Sequence, residues 1–161
     1  MSSDLSETEL KKFVDSLPTR RLAAEALIRD PAGRVLIVEP NYKPDWTVPG
    51  GTVEAGEDPR TGCFREVAEE VGLDLPEGRL LAVAHGVAMG IWGDSVSFVY
   101  DGGVLDADTP ITVQEEELLS HRWVEPGELG RYLRPGLARR LREALAALAD
   151  GTVAELVDGP H

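Results

Sequence analysis

One segment leaves little conformational choice. Asp58 offers an N-cap oxygen, Pro59 brings a preset φ to the first helical position, and Gly72 suits the residue just past the last turn, with Leu73 able to fold apolar surface back. These signals predict a helix from Pro59 to Val71. Cys63, Phe64, Val67 and Val71 recur at spacings of three and four, so one stripe of that helix faces a core. Glu66, Glu69 and Glu70 stand at i, i+3 and i+4, which brings their carboxylates onto one other face.

Three adjacent carboxylates repel one another unless a cation lies among them. Oxygen donors of high charge density suit Mg²⁺, with Mn²⁺ as a substitute, whereas zinc prefers nitrogen and sulfur. The segment offers neither, apart from Cys63, and a place on the apolar stripe favours an inert core thiol. Because Cys63 is the sole cysteine, no internal disulfide can form.

The run Gly51, five residues, Glu57, seven residues, then Arg65-Glu66-Val67-x-Glu69-Glu70-x-Gly72-Leu73, led in by Pro49-Gly50-Gly51, resembles the Nudix box at every defined position. A solvated acidic helix is the plain alternative, and so many fixed residues at fixed gaps speak against it. The resemblance implies an α/β Nudix fold, an α/β/α sandwich around a mixed β-sheet. It also implies Mg²⁺-dependent hydrolysis of a diphosphate linkage in a nucleoside diphosphate-X compound by metal-activated water. In such proteins a backbone carbonyl, here that of Gly50, joins the metal ligands, which would be Gly50, Glu66, Glu69 and Glu70. Arg65 would pair with Glu57 and fix the loop against the helix. The general base is either a box glutamate, Glu66 or Glu70, or an acid from a distant loop. For the latter Gln114-Glu115-Glu116-Glu117 is the candidate run, with Glu117 or Glu116 favoured.

The 161 residues, 42% of them hydrophobic, suit one globular domain, expected over residues 21–161 behind an N-terminal arm of residues 1–20. No apolar run is long enough to cross a membrane, and the N-terminus begins acidic, so a cytoplasmic enzyme is expected. A formal charge of −13 argues against a nucleic-acid polymer as partner, since such binding neutralises phosphates with Lys and Arg. A small phosphorylated substrate, a nucleotide, remains compatible because bound cations reverse the local field.

Along the chain a short helix is expected from Glu7 to Leu17. A hairpin follows, formed by Leu22 to Arg29 and Arg34 to Glu39 around Asp30-Pro31-Ala32-Gly33. Trp46 to Val48 reads as a short strand, and Arg79 to Met89 and Asp94 to Tyr100 as two more, joined by Gly90-Ile91-Trp92-Gly93. Asp101 to Glu117 reads as an acidic loop, Leu118 to Val124 as a last strand, and Glu125 to Leu129 as a short helix. Pro135 to Asp150 is an amphipathic helix with Leu137, Leu141, Leu145 and Leu148 on one face, stopped by Gly151. That face and the region of Trp92 are the surfaces a homodimer would use.

Trp46 is expected to pack in the core rather than stack on a base, and Trp123 likewise. His85, inside an apolar strand, reads as a core histidine, while His121 and His161 fit no pattern. Tyr42 and Lys43 are candidates to contact phosphate. Downstream of the box, markers that Nudix subfamilies use for ADP-ribose, dinucleoside polyphosphates or NADH are missing; Ala88, Met89, Gly90 and Ile91 stand in those regions. Nucleoside triphosphate-like substrates are therefore favoured. The alternatives are an ADP-ribose or nucleotide-sugar pyrophosphatase, and a ligand-sensing Nudix domain without turnover, against which the intact Arg65, Glu66, Glu69 and Glu70 argue.

Overall fold

The apolar run after Arg20 becomes the spine of the sheet, because a strand covered on both faces must be apolar nearly throughout. The computed structural model describes residues 5–88 and 90–158. Its elements are α1 (Glu7–Ser16), β1 (Arg21–Arg29), β2 (Val35–Pro40), β3 (Gly50–Thr52), α2 (Pro59–Val71), β4 (Leu80–Gly86), β5 (Ser95–Val104), β6 (Leu118–Val124), a 3-10 turn (Pro126–Arg131), α3 (Pro135–Asp150) and β7 (Ala154–Asp158). The strands run in the order β6-β2-β1-β5-β4-β7, with β3 also paired to β1. The β1–β5 and β4–β7 pairs are parallel and the others antiparallel, so the sheet is mixed.

Each face carries its own core. Leu27, Val35, Ile37, Val99 and Leu81 meet Ala138, Leu141 and Ala144 of α3 on one side. Ala24, Ala26, Ile28, Leu36 and Val38 meet Cys63, Phe64, Val67 and Val71 of α2 on the other. Helix, sheet and helix form three layers, the α/β/α sandwich expected. The α2 boundaries match as well: the Asp58 side chain accepts from the Thr61 N–H, and Gly72 closes the helix at φ 68°. On α3 the leucine face is used inside the chain, since Leu141 is fully buried and Leu137, Leu145 and Leu148 pack on the same core. Helix α1, by contrast, has no buried residue and leaves Leu10, Phe13 and Val14 exposed. Among the described residues no helix is long and apolar enough to cross a membrane.

Five expectations need correction. The strand after Arg79 ends at Gly86 rather than Met89, which lies outside the described residues, as does His161. β5 does not stop at Tyr100: Asp101 to Val104 continue it, because β1 supplies pairing partners as far as Arg29 and Gly102 lets the chain close on Leu27 and Ile28. Trp46 to Val48 make only isolated bridges, Val38 with Thr47 and Trp46 with Leu133, and the regular strand is Gly50–Thr52. β7 was not foreseen; it pairs in parallel with β4 from Ala82–Ala154 to Gly86–Asp158. His85 is not a core residue, since its ring is half exposed and lies 3.5 Å from Glu155 of β7.

Candidate active site

Pairing of β3 with β1 sets Gly51 opposite Ala24 and Gly50 opposite Glu25. At Gly50 φ is +146°, and a Cβ there would run into Ala24 O and Glu25 Cα, so both backbone and space demand glycine. At Gly51 a Cβ would sit 2.7 Å from Cδ of Glu66, because the Glu66 carboxylate lies directly against that residue. One turn on, Oε2 of Glu70 accepts a 3.0 Å hydrogen bond from the Gly50 N–H. Two of the predicted ligand glutamates thus reach the predicted ligand glycine's turn.

Arg65 ties the third to the group. Its Nε and Nη2 donate to the two oxygens of Glu57 at 2.8 and 2.9 Å, a bidentate pair. Its Nη1 donates to Glu66 Oε1 and Glu69 Oε2, both at 3.1 Å. The Arg65 hydrogen bonds, reinforced by the Glu54 backbone N–H, hold the Glu57 carboxyl down to about 2. Gly62 makes room for that pair, since a Cβ there would meet Glu57 Oε1 at 2.6 Å.

Glu70 differs from the expectation of a free acidic face: it is 6% exposed, and its neighbours include the apolar stripe of its own helix. Burial, with the charges of Glu66 and Glu117 added, pushes its carboxyl up to about 7 despite the Gly50 hydrogen bond. Burial raises Glu66 as well. Glu69 is exposed and turned toward Arg65. Glu117 is exposed and hydrogen-bonded to none of the others, yet its charge is felt by Glu66, Glu70 and Tyr42, so it stands over the same place.

Among the described residues no three His, Cys, Asp or Glu side chains are drawn together closely enough to enclose an ion. The physical reason is Arg65, whose Nη1 takes the position between Glu66 and Glu69 and partly neutralises them. Each of these contacts engages one carboxylate oxygen, and Glu66 Oε2, Glu69 Oε1 and Glu70 Oε1 make no hydrogen bond among the described residues.

Gly50 and Glu70 open onto a cleft of about 820 Å³ over the β1, β4 and β5 ends, walled on one side by the first turns of α3. Small side chains floor it, Ala23, Ser95 and Ser97 among them. Trp92 stands at its edge with the Arg21 guanidinium 4.8 Å from its ring. Lys43 and Tyr42 line it, while Trp46 packs edge-on against Tyr132 and does not. Four lining groups were missed, Glu25, Arg134, Arg140 and Asp158. Arg140 of α3 donates to Glu25 at 2.9 Å and to Asp158 Oδ2 at 2.9 Å, and Arg134 stands just before α3. The charge of Glu25 inside an apolar strand was a readable sign; Asp158 gave none, since its strand was itself unread.

Residues 19–148 match the family model described as NUDIX domain. A MutT-like protein of Streptomyces ambofaciens is 30% identical over 150 residues, 91% of this chain and 84% of that one. An RNA pyrophosphohydrolase of Dinoroseobacter shibae is 29% identical over 133 residues, 72% of this chain and 82% of its own. Among solved structures, a MutT protein from Methanosarcina mazei Go1 superposes with a TM-score of 0.67 at 25% identity, covering 84% of this chain and 99% of that one.

Proposed function

The chain belongs to the Nudix family, a family of pyrophosphohydrolases, and on that premise we propose that it cleaves a diphosphate linkage in a nucleoside diphosphate-X compound with Mg²⁺, or Mn²⁺ in its place. Nucleoside triphosphate-like compounds are the favoured substrates. Residues 21–161 carry the reaction, and residues 1–20 form an arm outside it. The observation that carries the reading is the pair of carboxylates, Glu66 and Glu70, pressed against the Gly50-Gly51 turn at the end of the cleft.

The donor set fits a hard cation. Buried carboxylates are costly unless matched by positive charge, and burial makes both Glu66 and Glu70 hold protons more tightly than usual, Glu66 even with Arg65 beside it. Each glutamate keeps one oxygen free of hydrogen bonds, so an ion can be met without unmaking the Glu57–Arg65 pair. Glu66, Glu69, Glu70 and the Gly50 carbonyl would hold it. When bound, such an ion polarises phosphoryl oxygens and lowers the pKa of a coordinated water.

The chain's own residues do the rest. Arg65 gives up Nη1 contacts yet stays anchored on Glu57 through Nε and Nη2, which keeps α2 registered against the loop. Glu117, exposed beside the cluster, would take a proton from the attacking water, and Glu66 or Glu70 is the alternative base. The MutT-like and RNA pyrophosphohydrolase relatives support chemistry at phosphoanhydrides. Between a free nucleotide and an RNA 5′ end, the net charge of −13 favours the free nucleotide.

Screening nucleoside di- and triphosphates, nucleotide sugars and dinucleotides with Mg²⁺ or Mn²⁺, and measuring released phosphate and pyrophosphate, tests the reading. Glu66→Gln should abolish turnover of whatever substrate is found and weaken Mn²⁺ binding in calorimetry. Unchanged Mn²⁺ affinity in that variant refutes the ligand set, and no turnover of any compound by the parent protein favours the ligand-sensing alternative.

A further inference from the structure

We infer that the chain forms a twofold dimer in which helix α1 of each copy lies across the outer face of β5, β4 and β7 of the other. The inference goes beyond the cleft and its chemistry and does not depend on them.

Helix α2 covers only part of its side of the sheet, packing on Ala24, Ala26 and Ile28 of β1 and on Leu36 and Val38 of β2. Beside it the pairing registers set two rows of side chains across three strands, Phe98-Val83-Glu155 and Val96-His85-Val157. Alternation puts both rows on the α2 side, since Ala82, Val99 and Ala154 belong to the core under α3 and Ser97 lines the cleft. Val87 and Val153, just outside the strands, stand at the two ends of this patch. Val157 is 63% exposed, Val153 52% and Val87 45%. A parallel pair such as β4 and β7 is ordinarily covered on both faces, and here one face is bare.

The chain also carries the missing cover. Leu10, Phe13, Val14 and Leu17 recur at helical spacing along α1, and each is about half exposed. α1 has ten residues and a complete capping box, yet buries none of its side chains. Helices shorter than about 12 residues are marginal in water without tertiary support, so this stripe needs a partner. The sizes agree. From Leu10 to Leu17 the stripe runs about 10 Å, and the helix is about 10 Å across. The distance from β5 over β4 to β7 is also about 10 Å. Lys11 flanks the stripe and can answer Glu155, which has only His85 near it, because its exposed pair with Asp15 is readily exchanged.

Within one chain the two surfaces stay apart. The Arg20–Asp94 ion pair at 2.9 Å, with the Arg21 N–H bonded to the Asp94 carbonyl, pins the chain where β1 begins. Pro18 holds Leu17 extended, and α1 keeps its stripe in solvent. A chain that bears a patch and its complement without closing on itself closes on a second copy. Two identical contacts about a twofold axis then use both surfaces and leave neither over. A partner of any other kind would cover one and leave the other bare.

Sedimentation velocity over a concentration series tests this, with Phe13→Asp on α1, Val157→Asp on β7, and their mixture. The parent should reach twice the 17.4 kDa of the chain. Each variant alone has both contacts broken and should dimerise at least about a hundredfold more weakly. Neither side chain is buried, so circular dichroism and the melting temperature should show the fold retained. An equimolar mixture should recover a dimer, because the Val157→Asp chain supplies an intact α1 and the Phe13→Asp chain an intact sheet face. A parent that stays monomeric at every concentration, or a dimer that survives both substitutions, overturns the inference. Loss of the dimer without recovery in the mixture also overturns it, since that outcome means a contact of α1 with α1 or of sheet with sheet. Hydrogen exchange supplies a second readout: α1 amides should be protected in the dimer and lose protection on dilution, and protection indifferent to concentration means that α1 folds back on its own chain, which refutes the exchange between copies.

Discussion

Replacing Glu70 by Gln should make the metal-free protein more stable while disabling it. The native carboxyl sits at about 7 against an ordinary value of 4.5, so the folded state holds its proton more tightly than the unfolded chain. For a carboxyl raised on folding, stability falls as pH climbs from the unfolded value through the folded one. At about 1.4 kcal/mol per unit, ionised Glu70 costs the fold about 3 kcal/mol once the pH is well above 7, an order-of-magnitude figure. Gln has the same shape, and its side-chain oxygen can still accept from the Gly50 N–H, so the variant escapes this cost. Urea melts in EDTA at pH 8 should place Glu70→Gln about 3 kcal/mol above the parent, with the gap narrowing to about 1 kcal/mol at pH 5 and closing below it. Saturating Mg²⁺ should reverse the order, since an ion held at about a thousand times its Kd stabilises the parent by about 4 kcal/mol and the variant by much less. Equal or lower stability of the variant at pH 8, or a gap indifferent to pH, would refute the claim that burial strains this carboxylate.

Gly51→Ala and Gly50→Ala should separate function from folding. A Cβ at Gly51 meets only the end of the Glu66 side chain, so turnover should fall about tenfold or more while the melting temperature moves by no more than about 2 °C, measured by calorimetry. At Gly50 the added carbon meets backbone and the φ of +146° resists any side chain, so the cost should be about 3 kcal/mol or more, seen as lost soluble protein or an early urea midpoint. Arg65→Lys replaces a bidentate fork by a single point charge and should reduce turnover about tenfold to a hundredfold, with Mn²⁺ affinity falling alongside in titration. Leu141→Ala, in the α3 core remote from the box, should cost about 2 to 5 kcal/mol in urea melts yet keep parental kcat at 25 °C.

How far the fold could be read before seeing it depended on whether its signals were local. The ends of α2 were legible because Asp58, Pro59 and Gly72 act within a few residues of themselves. The β1 and β2 hairpin was legible for the same reason, with Asp30 and Gly33 closing its turn. β7 was not: Ala154 to Asp158 carry no turn or period that marks a strand, and they become one only because β4 offers a free edge in parallel. The extension of β5 through Gly102 and Gly103 was hidden likewise, since two glycines read as a break unless the partner strand is known to run beside them. His85 was misjudged because an apolar neighbourhood in sequence does not tell which alternate positions of an edge pair face solvent.

In the site the limit was different. Helical spacing fixes which side chains can meet, and it brought Glu66, Glu69 and Glu70 to one side of α2. It cannot say what each then chooses as partner. Glu70, one position after Glu69, is drawn inward because the backbone N–H of Gly50 waits there in a turn that only glycine can make. Glu69 stays outside, and Arg65 reaches it because that arginine has more donors than Glu57 can use. The same helix thus presents three identical groups in three electrostatic settings: one buried and reluctant to ionise, one half-buried, one exposed. A cluster built this way is asymmetric before any ligand arrives, and the asymmetry originates in β3 and the loop carrying Glu57, outside the helix whose pattern announced it.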